Sequence, residues 1–523
     1  MAAALLYGRA LGYPFVYDDR VLIADNTALA DWGTLGEALT HDLFHFSSTR
    51  ASPYWRPVVT LSYYVDHGVS GGAPWSFHLT NLLALAAAAA GVARLASARV
   101  GAAAGLALGL LFMAHPLQVE GASNIAGRTD VLACAFGLWS MVAASGERRR
   151  DATAFLLTAL ACGSKEIGVF VPIAVWLMGG RWRPGAVAVG LFLAARAGVL
   201  AGLELLPADQ PSPSIESAAG AAALAWWYLG RLLAPTHLAP AMALESPVGL
   251  SAAAGWAGAV GAGAAALVVR TRAPLVASGL SLMLLPLLPA SGLARASLRY
   301  GETFLVLPLA GGCLALAGAL ALRPAAHRRV APAALLAAGI VAAAIGWGRS
   351  AEWSSERSLW EGAHDRLPSD AAIAQNLARI VVNEEPARAL SLLDGVTAVE
   401  PRAAREIWEI RARAHQLQSS APEMIDALTR AAAPDREAYW VNATLCATVA
   451  GQGAPAIRYC QWALAADDSD PSVWDAAGVA LAVAGDFDGA VRHFERAVAL
   501  APGNPQLAAH LAAAREDARS AGE

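Results

Sequence analysis

Residues 303–366 read TFLVLPLAGGCLALAGALAL (303–322), RPAAHRR (323–329), VAPAALLAAGIVAAAIGW (330–347) and GRSAEWSSERSLWEGAHDR (348–366). Two uncharged runs, each close to the roughly 20 residues a helix needs to cross a bilayer, flank a short connector rich in arginine. In hydrocarbon the backbone must satisfy its own hydrogen bonds, so such runs are read as membrane helices. After Trp347 charge returns within every few residues and persists to Glu523. The solvent therefore changes from lipid to water near 348/349, and the chain is read as two domains, 1–348 and 349–523.

The composition of the whole chain agrees. Of its 523 residues 56% are hydrophobic and 15% charged, against about 25% charged in a typical soluble protein, and the mean hydropathy is +0.44. A net charge of −4 gives no reason to expect nucleic acid as a partner. Further apolar segments run over 77–97, 101–114, 131–145, 152–162, 167–179, 186–206, 219–233, 250–269 and 274–288. With the two runs above they make eleven segments, and the expected count is about eleven spans; Met1–Tyr13 is read as a short first helix. No small-residue cleavage pattern follows Tyr13, so a cleaved signal is not expected.

Arginine sets the sidedness. Arg94 with Arg99, Arg148-Arg149-Arg150, Arg181 with Arg183, Arg270 with Arg272, and Arg323 with Arg328-Arg329 occupy tight connectors and are assigned to the cytoplasm by the positive-inside rule. The large loop 13–76, the segment 115–130, the stretch around Lys165 and the C-terminal domain then face outward. This parity requires 219–233 to be re-entrant, interfacial or doubled. Within the large loop, 31–45 reads as an amphipathic interfacial helix. Of the five cysteines none forms a CxxC pair, and no zinc-type cluster is read. Cys446 and Cys460 are assigned either to core packing or, in an oxidising compartment, to a disulfide.

The C-terminal domain carries a 34-residue period. Trp474, Gly478, Leu481, Ala490, Phe494, Ala497 and Pro502 fit the tetratricopeptide pattern of two antiparallel helices, with Gly485-Asp486 between them. One period earlier stand Trp440, Gly451, Ala456, Cys460 and Ala463. The clearest repeats are 437–470 and 471–504, and about four fit the space. Such a stack offers a concave face to an extended peptide.

Charged groups at membrane depth are costly and point to function. Four sets recur on the outward side: Tyr17-Asp18-Asp19-Arg20; Trp55-Arg56-Pro57 with Phe77-His78 and Asn81; His115-Pro116 with Glu120 and Gly127-Arg128-Thr129-Asp130; and Lys165-Glu166. Lys165 is the only lysine in the chain. Taken singly, each set reads as readily as a helix terminus or a neutralising pair. Together they have the composition of a site for an anionic, lipid-linked donor.

These motifs, in this order, resemble the transmembrane and tetratricopeptide repeat-containing O-mannosyltransferases, in the form of a bacterial relative, and the wider GT-C class of polytopic glycosyltransferases. The resemblance implies an all-α fold, a helical membrane domain followed by a repeat solenoid. It implies a polyprenyl-phosphate sugar donor, usually of mannose, and a Ser or Thr hydroxyl acceptor on a protein. It places the catalytic carboxylate at Asp18 or Asp19. Substrate-binding roles fall to Arg56, His78, Asn81, His115, Glu120, Arg128, Asp130, Lys165, Glu166 and Glu302. Where the family shows Glu-Arg, Glu302 is followed here by Thr303, with Arg299 nearby. No cofactor is required; a divalent cation on Asp18 and Asp19 is compatible. The composition, rich in alanine and arginine, points to a GC-rich bacterium and so to the plasma membrane. The rival reading is a non-catalytic membrane scaffold for envelope assembly.

Overall fold

Runs of Ala, Leu and Gly without polar side chains leave the backbone only itself to bond with, and nearly every described element is a helix. The computed structural model describes the chain except residues 48–51, 147–149, 204–227, 237, 241, 244–249, 288–298, 397–400 and 523. The chain divides into two compact units, Met1–Pro368 and Ser369–Glu523. The first extends 20 residues beyond the composition change at 348/349, because the polar helix Glu356–Arg366 belongs with it.

In the first unit α1 (Ala2–Tyr7), α2 (Leu35–Thr40) and α3 (Pro57–Ser70) precede the apolar hairpin of α4 (Pro74–Val100) and α5 (Ala102–Ala114). Then follow α6 (Gln118–Ser123), α7 (Arg128–Ala144), α8 (Asp151–Ser164), α9 (Val171–Leu177) and α10 (Arg183–Gly202). After them come α11 (Leu250–Val269), α12 (Pro274–Leu284), α13 (Val306–Ala321), α14 (Ala325–Glu352) and α15 (Glu356–Arg366). The one departure from helix among the described residues is a two-residue antiparallel ladder, Met242 opposite Tyr300 and Ala243 opposite Arg299.

Among the described residues four helices are long and apolar enough to cross a membrane: Pro74–Val100, Arg183–Gly202, Glu302–Ala321 and Ala325–Glu352. The expected count of about eleven is not confirmed among them. Ala102–Ala114, Asp151–Ser164, Glu166–Leu177 and Pro274–Leu284 are apolar but shorter. Two of them are cut short by the polar sets themselves: His115 turns to an extended backbone after α5, and Lys165 does so after α8. Arg148-Arg149 and most of 219–233 lie outside the described residues; Tyr228–Leu233 is helical. The expected interfacial helix over 31–45 is only α2, preceded by a 3-10 turn at Trp32–Thr34. His41 ends it in extended backbone, and Asp42 beyond turns inward to accept hydrogen bonds from the Phe44 N–H (2.9 Å) and the Ser52 hydroxyl (2.7 Å).

In the second unit four helix pairs follow one another: α16/α17 (Ala371–Val381, Pro386–Leu392), α18/α19 (Pro401–Leu417, Ala421–Ala431), α20/α21 (Tyr439–Val449, Ala454–Ala466) and α22/α23 (Pro471–Val483, Phe487–Leu500), with α24 (Pro505–Gly522) last. Gly478 faces the ring of Phe494, so closely that a Cβ there would sit 2.7 Å from it. One period earlier Cys446 and Cys460 form a disulfide across α20 and α21, resolving the alternative left open by sequence. The two repeat tryptophans are not core residues, contrary to the packing pattern expected of them. Trp440 is 50% exposed, and half-buried Trp474 donates its ring N–H to the Asp468 carbonyl at 2.8 Å.

A candidate active site at the ends of the apolar helices

The polar sets lie at one end of these helices. Arg56 caps α3, His78 and Asn81 lie in the first turns of α4, and His115 follows α5. Arg128 and Asp130 open α7, Lys165 follows α8, and Glu302 starts the 3-10 turn that leads into α13. Arg94 and Arg99 fall in the last turns of α4, while Arg323 follows α13. The arginine connectors therefore sit at the opposite helix ends.

Asp19 is fully buried. Its carboxylate accepts hydrogen bonds from the Ala126 N–H (2.7 Å) and the Ile125 N–H (3.3 Å), tying the N-terminal loop to the loop between α6 and α7. Asp18 beside it is exposed. The turn that separates them begins at Tyr17, whose φ of 56° lies in the left-handed region that residues with side chains rarely adopt. Its N–H donates to Glu356 Oε1 at 3.3 Å and its ring meets Trp360 edge-on at 5.3 Å, so α15 holds this conformation. Burial pushes the Asp19 carboxyl up to about 7, against the pull of the Ala126 and Ile125 N–H groups.

Asn81 and Arg128 form the frame beneath. The Asn81 amide donates to the Gly121 (3.1 Å) and Asn124 (2.9 Å) carbonyls, and its oxygen accepts from Arg128 Nε at 2.9 Å. Arg128 also donates to Ser62 Oγ (2.9 Å) and the Phe77 carbonyl (2.6 Å), and it pairs with Asp66 at 2.5 Å. Its guanidinium lies 4.9 Å from the Tyr63 ring centre. With no exposure and its donors engaged, Arg128 organises the site and is not placed to meet a phosphate in this state. His78 is likewise fully buried, edge-on to Tyr13.

The remaining residues converge on a second centre. Lys165 Nζ pairs with Asp130 Oδ2 at 2.5 Å and lies 4.4 Å from the Phe304 ring centre. Arg349, in the last turn of α14, donates to Glu302 Oε1 (2.9 Å) and to the Pro116 carbonyl (3.0 Å). Glu120 lies close enough to both pairs for Glu302, Arg349, Asp130 and also Asp18 to act on its charge. Burial and the neighbouring Glu302 hold the Glu120 carboxyl well above the usual carboxylate range, with Arg349 pulling the other way. One oxygen each of Glu120, Asp130 and Glu302 is buried with no hydrogen-bond partner. Arg56 stands at the rim, 3.4 Å from Glu166 and 4.8 Å from the Tyr54 ring centre. His115 accepts a hydrogen bond from the Leu117 N–H at 3.3 Å, and burial pushes its ring down to about 4, so it is neutral near pH 7.

Several site residues escaped the sequence reading. Arg349 stands where the missing arginine after Glu302 was sought, but it comes from a different helix. The available signal was an arginine at the end of the last apolar run, away from the arginine connectors. Asp66, Tyr63 and Tyr228 carried no motif; Tyr228 is buried, edge-on to Phe304 at 6.2 Å. Glu37, His41 and His45, for which no metal cluster was read, bring one ligand atom each within 4.8 Å of one another in the loop 13–76.

Fold and site together define a helical membrane protein with a buried, carboxylate-lined site at one helix end and a tetratricopeptide-type repeat unit. The tetratricopeptide repeat family matches residues 471–514. The chain is 37% identical over 136 residues to protein O-mannosyl-transferase Tmtc2 of Drosophila melanogaster, covering 25% of this chain and 14% of that protein. It is 34% identical over 189 residues to mouse TMTC2, covering 32% and 21%, and 34% identical over 150 residues to human TMTC2, covering 26% and 17%. The matched regions thus span about a fifth or less of these relatives. Kinship with the repeat-bearing protein O-mannosyl-transferases, expected from the polar motifs, is supported by these comparisons.

Proposed function

We propose that the chain is a membrane glycosyltransferase that moves a sugar, mannose in the first instance, from a polyprenyl-phosphate donor to a Ser or Thr hydroxyl of an extracytoplasmic protein. The observation that carries this reading is the nearness of Asp18 to Glu120, which also feels Asp130 and Glu302, with one buried oxygen of each of these three carboxylates lacking a partner. Unpaired acceptors in a buried place are costly, and sugar hydroxyls are donors of the kind that would satisfy them. Exposed Asp18 is the general base for the acceptor hydroxyl, and Asp19 positions it through the Ile125 and Ala126 N–H groups. General base help is worth about 10²–10⁴-fold. The acceptor oxygen bonds to the anomeric carbon as the carbon–oxygen bond to the lipid phosphate breaks, and the proton passes to the base. Charge developing on the phosphate needs cations; Arg56 at the rim and Lys165 are the candidates. The lipid tail is assigned to an apolar groove lined by Val169, Pro172, Ile173, Trp176, Trp182 and Ala186, which begins four residues beyond Lys165.

The outward orientation draws support from the arginine connectors at the far helix ends and from the Cys446–Cys460 disulfide, which fits an oxidising compartment. The repeats present the extended acceptor, and the membrane is the bacterial plasma membrane. The scheme needs no cofactor; a divalent cation between Asp18 and Asp19 is its second form, recognised if chelated enzyme regains its rate only with added Mn²⁺. The deciding assay offers polyprenyl-phosphate-mannose and a Ser/Thr-rich peptide to the full chain and to the Asp18→Asn/Asp19→Asn variant. Transfer by the former and none by the latter is expected; equal transfer overturns the base assignment. A chain that binds no lipid-linked sugar and tolerates these substitutions is the scaffold instead. Lys165→Met should weaken donor use, measured as a raised KM for the donor.

A further inference from the structure

Outside this site the outer loop holds a second cluster. Glu37 lies on α2, His41 directly follows its end, and His45 lies in the turn beyond, a spacing of four residues each. One ligand atom from each, a carboxylate oxygen and two ring nitrogens, lie within 4.8 Å of one another. Glu37 Oε1 is 2.8 Å from His45 Nε2, and the two imidazoles stack at 4.1 Å with 27° between their planes. A surrounding scaffold fixes the loop: Trp55 Nε1–H donates to the Leu39 carbonyl at 2.9 Å, the Leu43 N–H donates to the Tyr54 carbonyl at 2.8 Å, and Asp42 is buried beneath. His41 Nδ1 already lies 2.9 Å from the Glu37 carbonyl, a backbone contact of the kind that orients a ligating imidazole.

We propose that Glu37, His41 and His45 form a binding site for a divalent transition metal, zinc foremost, that clips the outer loop. Two nitrogens and a carboxylate oxygen suit zinc and its neighbours rather than calcium or magnesium, which take oxygen. A tetrahedral zinc site sets its ligand atoms about 3.3 Å apart. Glu37 and His45 already lie 2.8 Å apart and are 53% and 28% exposed at the side chain, so they have the freedom to open slightly while His41 closes in, leaving the fourth position to water. The proposal stands independently of sugar transfer.

The full chain, purified in detergent and freed of metal by dialysis against a chelator, is titrated with zinc chloride and with cobalt chloride. One zinc per chain is expected, with the visible absorption of tetrahedral cobalt and a rise in Tm on loading. His41→Ala, His45→Ala and Glu37→Gln should each weaken zinc binding at least about 10-fold; His67→Ala, in α3, should leave it unchanged. Undiminished zinc binding by the His41→Ala/His45→Ala variant overturns the site. So does a wild-type chain whose Tm and cobalt spectrum do not respond to metal, which leaves the cluster as an ion pair beside stacked rings.

Discussion

Asp18 and Asp19 are neighbours in sequence yet live in different media, and the difference assigns their roles. Asp19 is charged only above about pH 7, and as an anion it accepts both backbone bonds that aim Asp18. Ionisation therefore switches the turn on as pH rises: transfer should increase between pH 6 and 8 with a limb near 7. In Asp19→Asn that limb should vanish along with most of the rate, as a kcat–pH profile would read. Arg349 poses the opposite case, a cation that neutralises buried Glu302. Removing one partner of a buried pair costs about 3–5 kcal/mol. Arg349→Met should therefore lower Tm sharply, while Arg349→Met/Glu302→Leu should recover much of the loss, a double-mutant cycle separating the pair from the packing. This second partnership was not legible in the sequence, since Glu302 and Arg349 are joined only by the return of α14 to the site.

At the scale of elements, close helix approach places Glu302 and Phe304. A Cβ on Gly279 of α12 would lie 2.4 Å from the Ala315 N of α13, and one on Gly311 2.6 Å from the Gly279 carbonyl oxygen. These two backbones touch, as small residues allow between membrane helices. Gly311→Leu should force α13 away and move the turn that carries Glu302. Overpacking typically costs about 1–3 kcal/mol, so thermal unfolding in detergent should show a loss of that order or more, together with reduced transfer. Helix identity itself was readable from apolar runs, and so were most stops. Helix length was not, because His115 and Lys165 end helices that hydropathy alone would have continued.

For the whole molecule, the pairing of cysteines reports on compartment. Cys446 and Cys460 are joined, while Cys134, Cys162 and Cys313 are free and buried. The chain denatured without reductant should therefore take three maleimide groups, and five after reduction, as intact-mass measurement would count; five without reductant from native membranes would place the repeats in a reducing compartment. Composition and periodicity by themselves determined that this protein is a helical membrane domain followed by helical repeats, because burial in lipid and a 34-residue packing period are written locally along the chain. They also singled out Asp19, Arg128 and Lys165, since charge in an apolar run is visible without any fold. What only the tertiary structure decided is who neutralises whom: Arg128 by Asp66, Lys165 by Asp130, Arg349 by Glu302, and Glu37 beside two histidines. Such pairings depend on helix ends meeting across long sequence separations, and Coulomb interactions are set by distance in space.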